Sequence, residues 1–480
     1  MEGMDVVDPR DQRISDLEAE NAVLRKEAVG LREELAAVRA ELAAVRRRQH
    51  RQAAPFSKGK KGANPRRPGR KAGQGEFRHR DEPKPEDVTR TVEAPVASAR
   101  CPCGGDWEAG GTETASITDL PPNPKPDVTL FKVEVCRCRR CGRVERGVHP
   151  ELAADQFGAT AHRLGEHAKA AAHALHYDVG IPVRKVPAVL AQTTGLSVTQ
   201  SAITQDAIKR TATGSKLDTA YEQLRKDVPV SPQVNTDDTG WRVGGLAAQL
   251  MNFNTTDTSF FQIRRHHRNE EVREVVPASY SGVLGTDRGP AYDAAELSGV
   301  RQQKCNSHLL KNIHDVMEDQ DNVNQWFGRD LKDLFRAGLD LHHRVRAGTM
   351  SLDDYLAAGL LIDENMTALL HPRTLRDPSN QTLLNELGWQ HARGNLLRYL
   401  KDPAIEPTNN GSERELRGGV VARKVSHCNK NAPGAHAHEV FTSLIRTIRR
   451  RIAGAPIIPA LFDLFRTGLA PPRIILPLTT

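Results

Sequence analysis

Helical periodicity gives way to strand character once in this chain, between residues 233 and 300, and then returns. Residues 157–226 carry helical patterns punctuated by Gly and Pro. Val234, the apolar run Leu246 to Phe253, Phe260 to Ile263, and Gly282 to Gly285 then read as short strands bounded by turn residues. Residues 305–401 return to helical periods, and after a loop at 402–412 further helices run to about Leu469. Strands set between helical blocks predict an α/β fold. A chain of 480 residues suggests about three folded units. With 38% hydrophobic and 27% charged residues it can bury a sizeable core, but not as one uniform globule.

The N-terminal part follows other rules. Ile14, Asn21, Ala28, Leu35 and Leu42 fall on one seam of a heptad pattern, and Leu17, Leu24, Leu31, Val38 and Val45 on the other. This predicts a leucine-zipper-like coiled coil over residues 1–48, in which Asn21 favours a dimer of fixed register. An amphipathic helix packed on its own chain is the alternative. Residues 49–98 are rich in Pro, Gly and basic residues and read as a linker. Between Arg46 and Arg80 thirteen Lys and Arg face one acid, so the net charge of +8 belongs to this segment and the remainder of the chain is acidic. Such a segment favours a polyanion, and Arg66, Arg67, Arg70 and Lys71 could track a DNA minor groove; a solvated tail is the other reading. No stretch approaches the roughly 18 apolar residues of a membrane span, and the acidic N-terminus lacks a signal-peptide pattern. A cytoplasmic chain without a membrane partner is expected.

Five of the seven cysteines lie between Cys101 and Cys141. Cys101 and Cys103, with Cys138 and Cys141 about thirty-five residues on, suit one structural zinc ion held by four thiolates. Cys136 is an alternative ligand.

Candidate catalytic residues come as acids. Asp237 closes one expected strand and Asp287 another. Carboxylates at neighbouring strand ends can converge on hard divalent cations, although Asp there is also an ordinary turn former. Thr408 to Arg417 reads as a loop entering a helix, which puts Glu413 and Arg417 four apart on one face: a metal-holding carboxylate beside a phosphate-holding guanidinium, or a plain ion pair. Arg423 and Lys424 follow. Cys305 and His308 read as a packed thiol and a hydrogen-bonded imidazole.

In order along the chain, the zipper, basic arm, Cys-rich module, Ile181-Pro182-Val183-Arg184, Asp237-Asp238-Thr239, Asp287 with Tyr292, Cys305-x-x-His308, Asn409-Asn410-x-x-Glu413-Arg414-x-x-Arg417 and Ser443 to Thr447 resemble the transposases of the insertion-sequence-66 family. The resemblance implies a ribonuclease-H-like catalytic core with an all-helical insertion, preceded by a coiled coil, basic linker, small zinc-binding module and helical DNA-binding segment. It implies an Asp, Asp, Glu triad at Asp237, Asp287 and Glu413 that binds two Mg²⁺, with Arg414, Arg417, Arg423 and Lys424 on phosphates. Asp238 and Arg288 depart from the family's usual Glu and Gly.

The expected divisions are 1–48 zipper, 49–98 linker, 99–148 zinc module, 149–228 helical DNA-binding segment, 229–304 and 402–470 catalytic core, 305–401 insertion and 471–480 tail. The implied activity is DDE-type: binding of the element's terminal inverted repeats, then metal-dependent cleavage and transfer of DNA strands. The expected partners are double-stranded DNA and a second copy through the coiled coil, with accessory proteins encoded by the element as further candidates. The location is expected to be cytoplasmic, on the nucleoid. The rival readings are a DNA-binding protein that does not cut and a metal-dependent nuclease that does not join.

Overall fold

A computed structural model of the chain describes residues 164–454 and 456–473, and before them 83–94, 96, 100–108, 114–118, 120, 124–152 and five positions between 20 and 30. The heptad run, apart from those five positions, and the basic arm with Arg66, Arg67, Arg70 and Lys71 lie outside the described residues. The chain forms two units, residues 1–119 and 120–480.

In the first unit, Cys101 to Gly105 form a tight turn. The Gly104 N–H donates to Cys101 O at 2.8 Å and the Cys101 N–H to Gly105 O at 3.0 Å. Gly104 sits at φ +93°, where a side chain would be strained.

The second unit opens with an antiparallel hairpin of β1 (Val135–Arg137) and β2 (Val144–Arg146). A helical stretch follows: α1 (Glu166–His173), α2 (Val186–Thr194), α3 (Gln200–Arg210) and α4 (Lys216–Asp227). Thr199 and Ser215 cap the N-termini of α3 and α4, their hydroxyls accepting from the Ala202 and Asp218 N–H groups. These residues therefore match the helical expectation for this part of the chain.

The sheet has five strands. β3 (Gln233–Val243), β4 (Leu246–Asn254) and β5 (Ser259–Arg264) form an antiparallel meander, and β6 (Val283–Thr286) and β7 (Arg301–Lys304) add in parallel on the other side of β3. The order is β5-β4-β3-β6-β7. Gly244 and Gly245, both at positive φ, make the two-residue turn from β3 to β4, which the right-handed twist of a hairpin favours. Two expectations are corrected here. β3 is longer than its apolar content suggested, so Asp237 lies inside a strand. β7 was not anticipated, because Arg-Gln-Gln-Lys has no apolar residue, yet Gln302, Gln303 and Lys304 are all buried.

The helix α5 (Asn269–Arg273) follows β5, and α6 (Asn306–Glu318), α7 (Trp326–Arg346), α8 (Leu352–Leu369) and α9 (Pro378–Ala392) follow β7. These four build a core of their own around Phe327, Leu331, Phe335, Tyr355, Met366 and Leu387. α10 (Asn410–Ser426), α11 (Ala432–Arg451) and α12 (Ile457–Thr467) complete the chain.

Strand alternation sorts the sheet's two faces. Phe253 opposite Phe260 joins the core beneath α4, α11 and α12, while Leu250 opposite Ile263 packs with Leu416 of α10. α11 also closes the open edge of β5. The Ser259, Phe261 and Ile263 N–H groups donate to Thr447 Oγ1 (3.1 Å), Ser443 Oγ (2.8 Å) and Glu439. Helix residues four apart rise about 6 Å and strand residues two apart about 6.8 Å, so the two ladders match. Polar groups inside α11 thereby satisfy an edge that would otherwise invite pairing with another chain. No helix among the described residues is long and apolar enough to cross a membrane.

Candidate active site

Register builds the first half of the site. Asn235 of β3 stands opposite Gly285 of β6 in a parallel pair, and Asp237 and Asp287 each lie two residues further on. Equal offsets along neighbouring parallel strands carry the two carboxylates to one side of the sheet. Gly285 is required by this pairing, because a Cβ there would collide with the Asn235 amide. Parallel pairing of β3 ends at Asn235, so Asp237 occupies the point where β3 leaves β6 behind while still paired to β4 opposite Asn252.

The surroundings leave Asp237 short of positive charge. Burial raises its carboxyl to about 7, and the charges of Asp287 and Asp238 push the same way. One oxygen accepts the Asp238 N–H at 2.9 Å, and Asp287 accepts the Gly289 N–H at 2.7 Å. Asp238 turns to His267, its carboxylate 2.8 Å from Nδ1. The His267 ring packs edge-on against Tyr292, at 5.2 Å between centroids, and Tyr292 is fully buried. Lys304, also fully buried, pairs with Asp293 at 2.9 Å and donates to Thr286 Oγ1 at 3.3 Å, beneath the end of β6.

The second half is pinned to the first by a polar staple. Asn409 donates from its side chain to Thr236 O (2.6 Å), next to Asp237, and from its backbone to Cys305 Sγ (3.1 Å). Ser412 Oγ accepts from Asn254 Nδ2 at 2.6 Å, and the Asn306 N–H donates to Pro407 O. Four segments, β3, β4, the start of α6 and the start of α10, are thus joined around Glu413, which lies in the first turn of α10. His308, in the first turn of α6, places Nε2 3.5 Å from the Glu413 carboxylate. Its imidazole is raised to about 9, first by its bond to Cys305 and then by the charges of Cys305, Glu413 and Asp237. Burial alone would raise the Cys305 thiol, but His308 and the Asn409 N–H together outweigh it and hold the thiol below its ordinary value. His308 is therefore held toward its charged form beside Glu413.

Among the described residues, one set of three His, Cys, Asp or Glu side chains brings its ligand atoms within 4.8 Å of one another: Cys305, His308 and Glu413. The three acids do not close on one point to that tolerance. Cys305 and His308 are the part of the site that the sequence reading passed over as packing. Their four-residue pattern was visible, but their nearness to Glu413 depends on two helices more than a hundred residues apart.

The candidate phosphate-binding side chains divide. Arg414, Arg417 and Lys424 are exposed on α10. Arg423 is engaged with β3, donating to Thr239 Oγ1 at 3.3 Å and to Gly240 O. Glu415, two residues past Glu413, faces α11 and pairs with Arg450 at 2.9 Å. Arg288 ties the start of this region to α9 and α6 through Glu386 at 2.6 Å and Asn312.

The cysteine clusters are described one in each unit. Cys101 and Cys103 place their sulfurs 3.3 Å apart. In the other cluster the Cys138 N–H donates to Arg143 O and the Gly142 N–H to Cys138 O, a turn closed by Gly142 at φ +74°. Backbone N–H groups of Cys141 and Arg140 hold the Cys138 thiol below its ordinary value. Cys136 lies on β1, opposite Glu145 and outside that turn.

Two solved structures of the HTLV-2 integrase catalytic core domain in complex with magnesium are among the matches. The trimeric form is 11% identical, over 31% of this chain and 90% of that one, with a TM-score of 0.13. The dimeric form is 10% identical, over 32% and 97%, with a TM-score of 0.14. At these scores the likeness carries no argument, and no curated protein matches the sequence. The family model Transposase IS66 family matches residues 162–437, more than half of the chain. Those residues include both aspartates, Cys305, His308, Glu413 and the Asn409 staple that joins them; the chain belongs to the IS66 transposase family.

Proposed function

We propose that this chain is a DDE-type transposase with a ribonuclease-H-like core, which binds the terminal inverted repeats of its own element and cuts and joins DNA strands at Asp237, Asp287 and Glu413. The observation that carries the reading is the shared register offset of Asp237 and Asp287, with the start of α10 stapled beside them. The donor set fits hard divalent cations: part-buried oxygen ligands, with the charge of Asp287 raising the Asp237 carboxyl beyond what burial does. Two Mg²⁺ held by the three carboxylates would supply stabilisation of the attacking and leaving oxygens of a phosphodiester.

The chain's own residues do the rest. His308 orients the Glu413 carboxylate and balances part of the acidic charge. The Asp238–His267 pair, braced by Tyr292, fixes the strand on the far side of Asp237. Arg417 and Lys424, exposed along α10 on the face of Glu413, and Arg414 beside them would meet DNA phosphates, while the basic arm and the coiled coil would add affinity and pair two DNA ends in a dimer. A structural zinc ion on Cys101, Cys103, Cys138 and Cys141 rests on ligand type and spacing, and metal analysis of fresh, reduced protein should find about one per chain.

Cleavage and joining of labelled element ends tests the whole reading. Products should form with Mg²⁺, vanish with chelator and be absent from the Asp237→Asn protein. Cleavage that survives chelation would overturn it.

A further inference from the structure

At the outer edge of the sheet, beside β7, a cavity of about 230 Å³ is bordered by Tyr292 and Asp293, the segment from Ser298 to Gln302, and Arg393, Asn395 and Arg398. At roughly 30 Å³ per water it has room for several waters, hence for a phosphate group. Three guanidinium groups border it: Arg301 from β7, Arg393 just after α9, and Arg398.

Among the described residues no carboxylate lies within 4.0 Å of any of the three. The acid that borders the cavity, Asp293, is already bound by Lys304 at 2.9 Å and by Gln390 at 3.0 Å. Arg398 is half-buried, donates to Gln302 O at 3.2 Å, and is held below its ordinary value by burial and by the charge of Arg301. Arg393 sits over the Trp389 indole, its Cζ 4.1 Å from the ring centroid, a contact that holds the guanidinium without using its N–H donors. An arginine has five such donors in a planar fork suited to phosphate oxygens. Like charges gathered around a concave space whose one acid is already paired are unfavourable unless an anion completes them.

We propose that this cavity is a phosphate-binding pocket that holds a backbone phosphate of bound DNA. Use by DNA rests on the function proposed above; the anion chemistry of the pocket does not. Tyr292 connects the two places, bordering the cavity while its ring packs on His267 beside Asp238. A strand held at Arg301, Arg393 and Arg398 would thus be gripped next to the acids by residues of the sheet edge and of the chain that follows α9.

The test uses the full chain and the variants Arg393→Gln, Arg398→Gln and Arg393→Lys. In one arm inorganic phosphate is titrated while the melting temperature is followed, with chloride at equal ionic strength as reference. Phosphate should raise the melting point of the wild type and of Arg393→Lys, and much less that of the two Gln variants. In the other arm binding to labelled element ends is measured against salt. Each phosphate contact contributes a slope of about −0.9 in log K against log salt, so each Gln variant should flatten the slope by about one while Arg393→Lys retains it. An unchanged phosphate response in both Gln variants overturns the pocket. A lost phosphate response with an unchanged DNA slope overturns DNA as the source and leaves free phosphate. If the wild type binds no DNA, the proposed function fails, and the phosphate arm still decides the pocket.

Discussion

Two buried acidic centres in this chain are built from the same residue types to opposite ends. In the helical stretch Asp206 of α3 is surrounded by partners: the cations Arg210 at 2.7 Å and Lys169 at 3.4 Å, and the imidazole of His173 at 2.9 Å, which burial holds below its ordinary value, with Glu166 sharing Arg210. Burial alone would raise its carboxyl, but the His173 bond and the Arg210 charge hold it well below the ordinary range. Around Asp237 burial raises the carboxyl, the charges of Asp287 and Asp238 add to the rise, and His308 offsets only part of it. A centre with its charges matched holds helices together. One left acidic in the folded chain stores repulsion that a bound cation can relieve.

The contrast breaks first at function. Asp237→Asn, Asp287→Asn and Glu413→Gln are near-isosteric, and each should lower strand cleavage by at least about 10²–10³-fold, with combined effects far from additive. DNA-end binding should persist. If cleavage survives all three, the acidic centre is not catalytic.

The same chemical change should next have opposite signs at the two centres. Asp206→Asn leaves Arg210 and Lys169 undercompensated in a buried network and should cost about 3 kcal/mol in urea unfolding. Asp237→Asn removes repulsion, so in chelator it should stabilise the protein by about 1–2 kcal/mol, and Mg²⁺ should stabilise the wild type but not this variant. Loss of stability in both would erase the distinction.

Glu415→Gln sharpens the register of α10. Two residues past Glu413 and on another face of that helix, Glu415 pairs with Arg450 of α11. The substitution should cost about 1–2 kcal/mol while cleavage at saturating Mg²⁺ persists. A dead but fully stable protein would move the third acid from Glu413 to Glu415.

The smallest effect is a pH dependence. Asp206 is depressed in the fold below its ordinary value of 3.8. Its contribution is therefore present above that value and lost as pH falls through the folded one. The urea midpoint should drop on acidification below about pH 4, and less steeply in Asp206→Asn.

Local patterns carried much of this fold. Apolar runs marked β4 and β5, helical periods marked α6 to α9, and Asn-Asn-x-x-Glu-Arg marked the start of α10, because periodicity and capping act within a few residues. β7 escaped notice because its buried Gln302 and Gln303 donate to Tyr292 O and Leu396 O, partners outside the strand that no local pattern announces. The reach of β3 was also hidden, since Thr236 to Gly240 has turn chemistry and becomes strand only when β4 pairs with it. The motifs single out Asp237, Asp287 and Glu413 as candidate acids. The link from Glu413 to His308 and Cys305 could not be read from them, nor could the edge of β5 closed by Ser443, Thr447 and Glu439. Residue type and spacing specify which side chains are able to hold a cation, a phosphate or a backbone N–H; which of them meet depends on the strand register and on where α6, α10 and α11 dock, and those follow from burial shared across the whole chain.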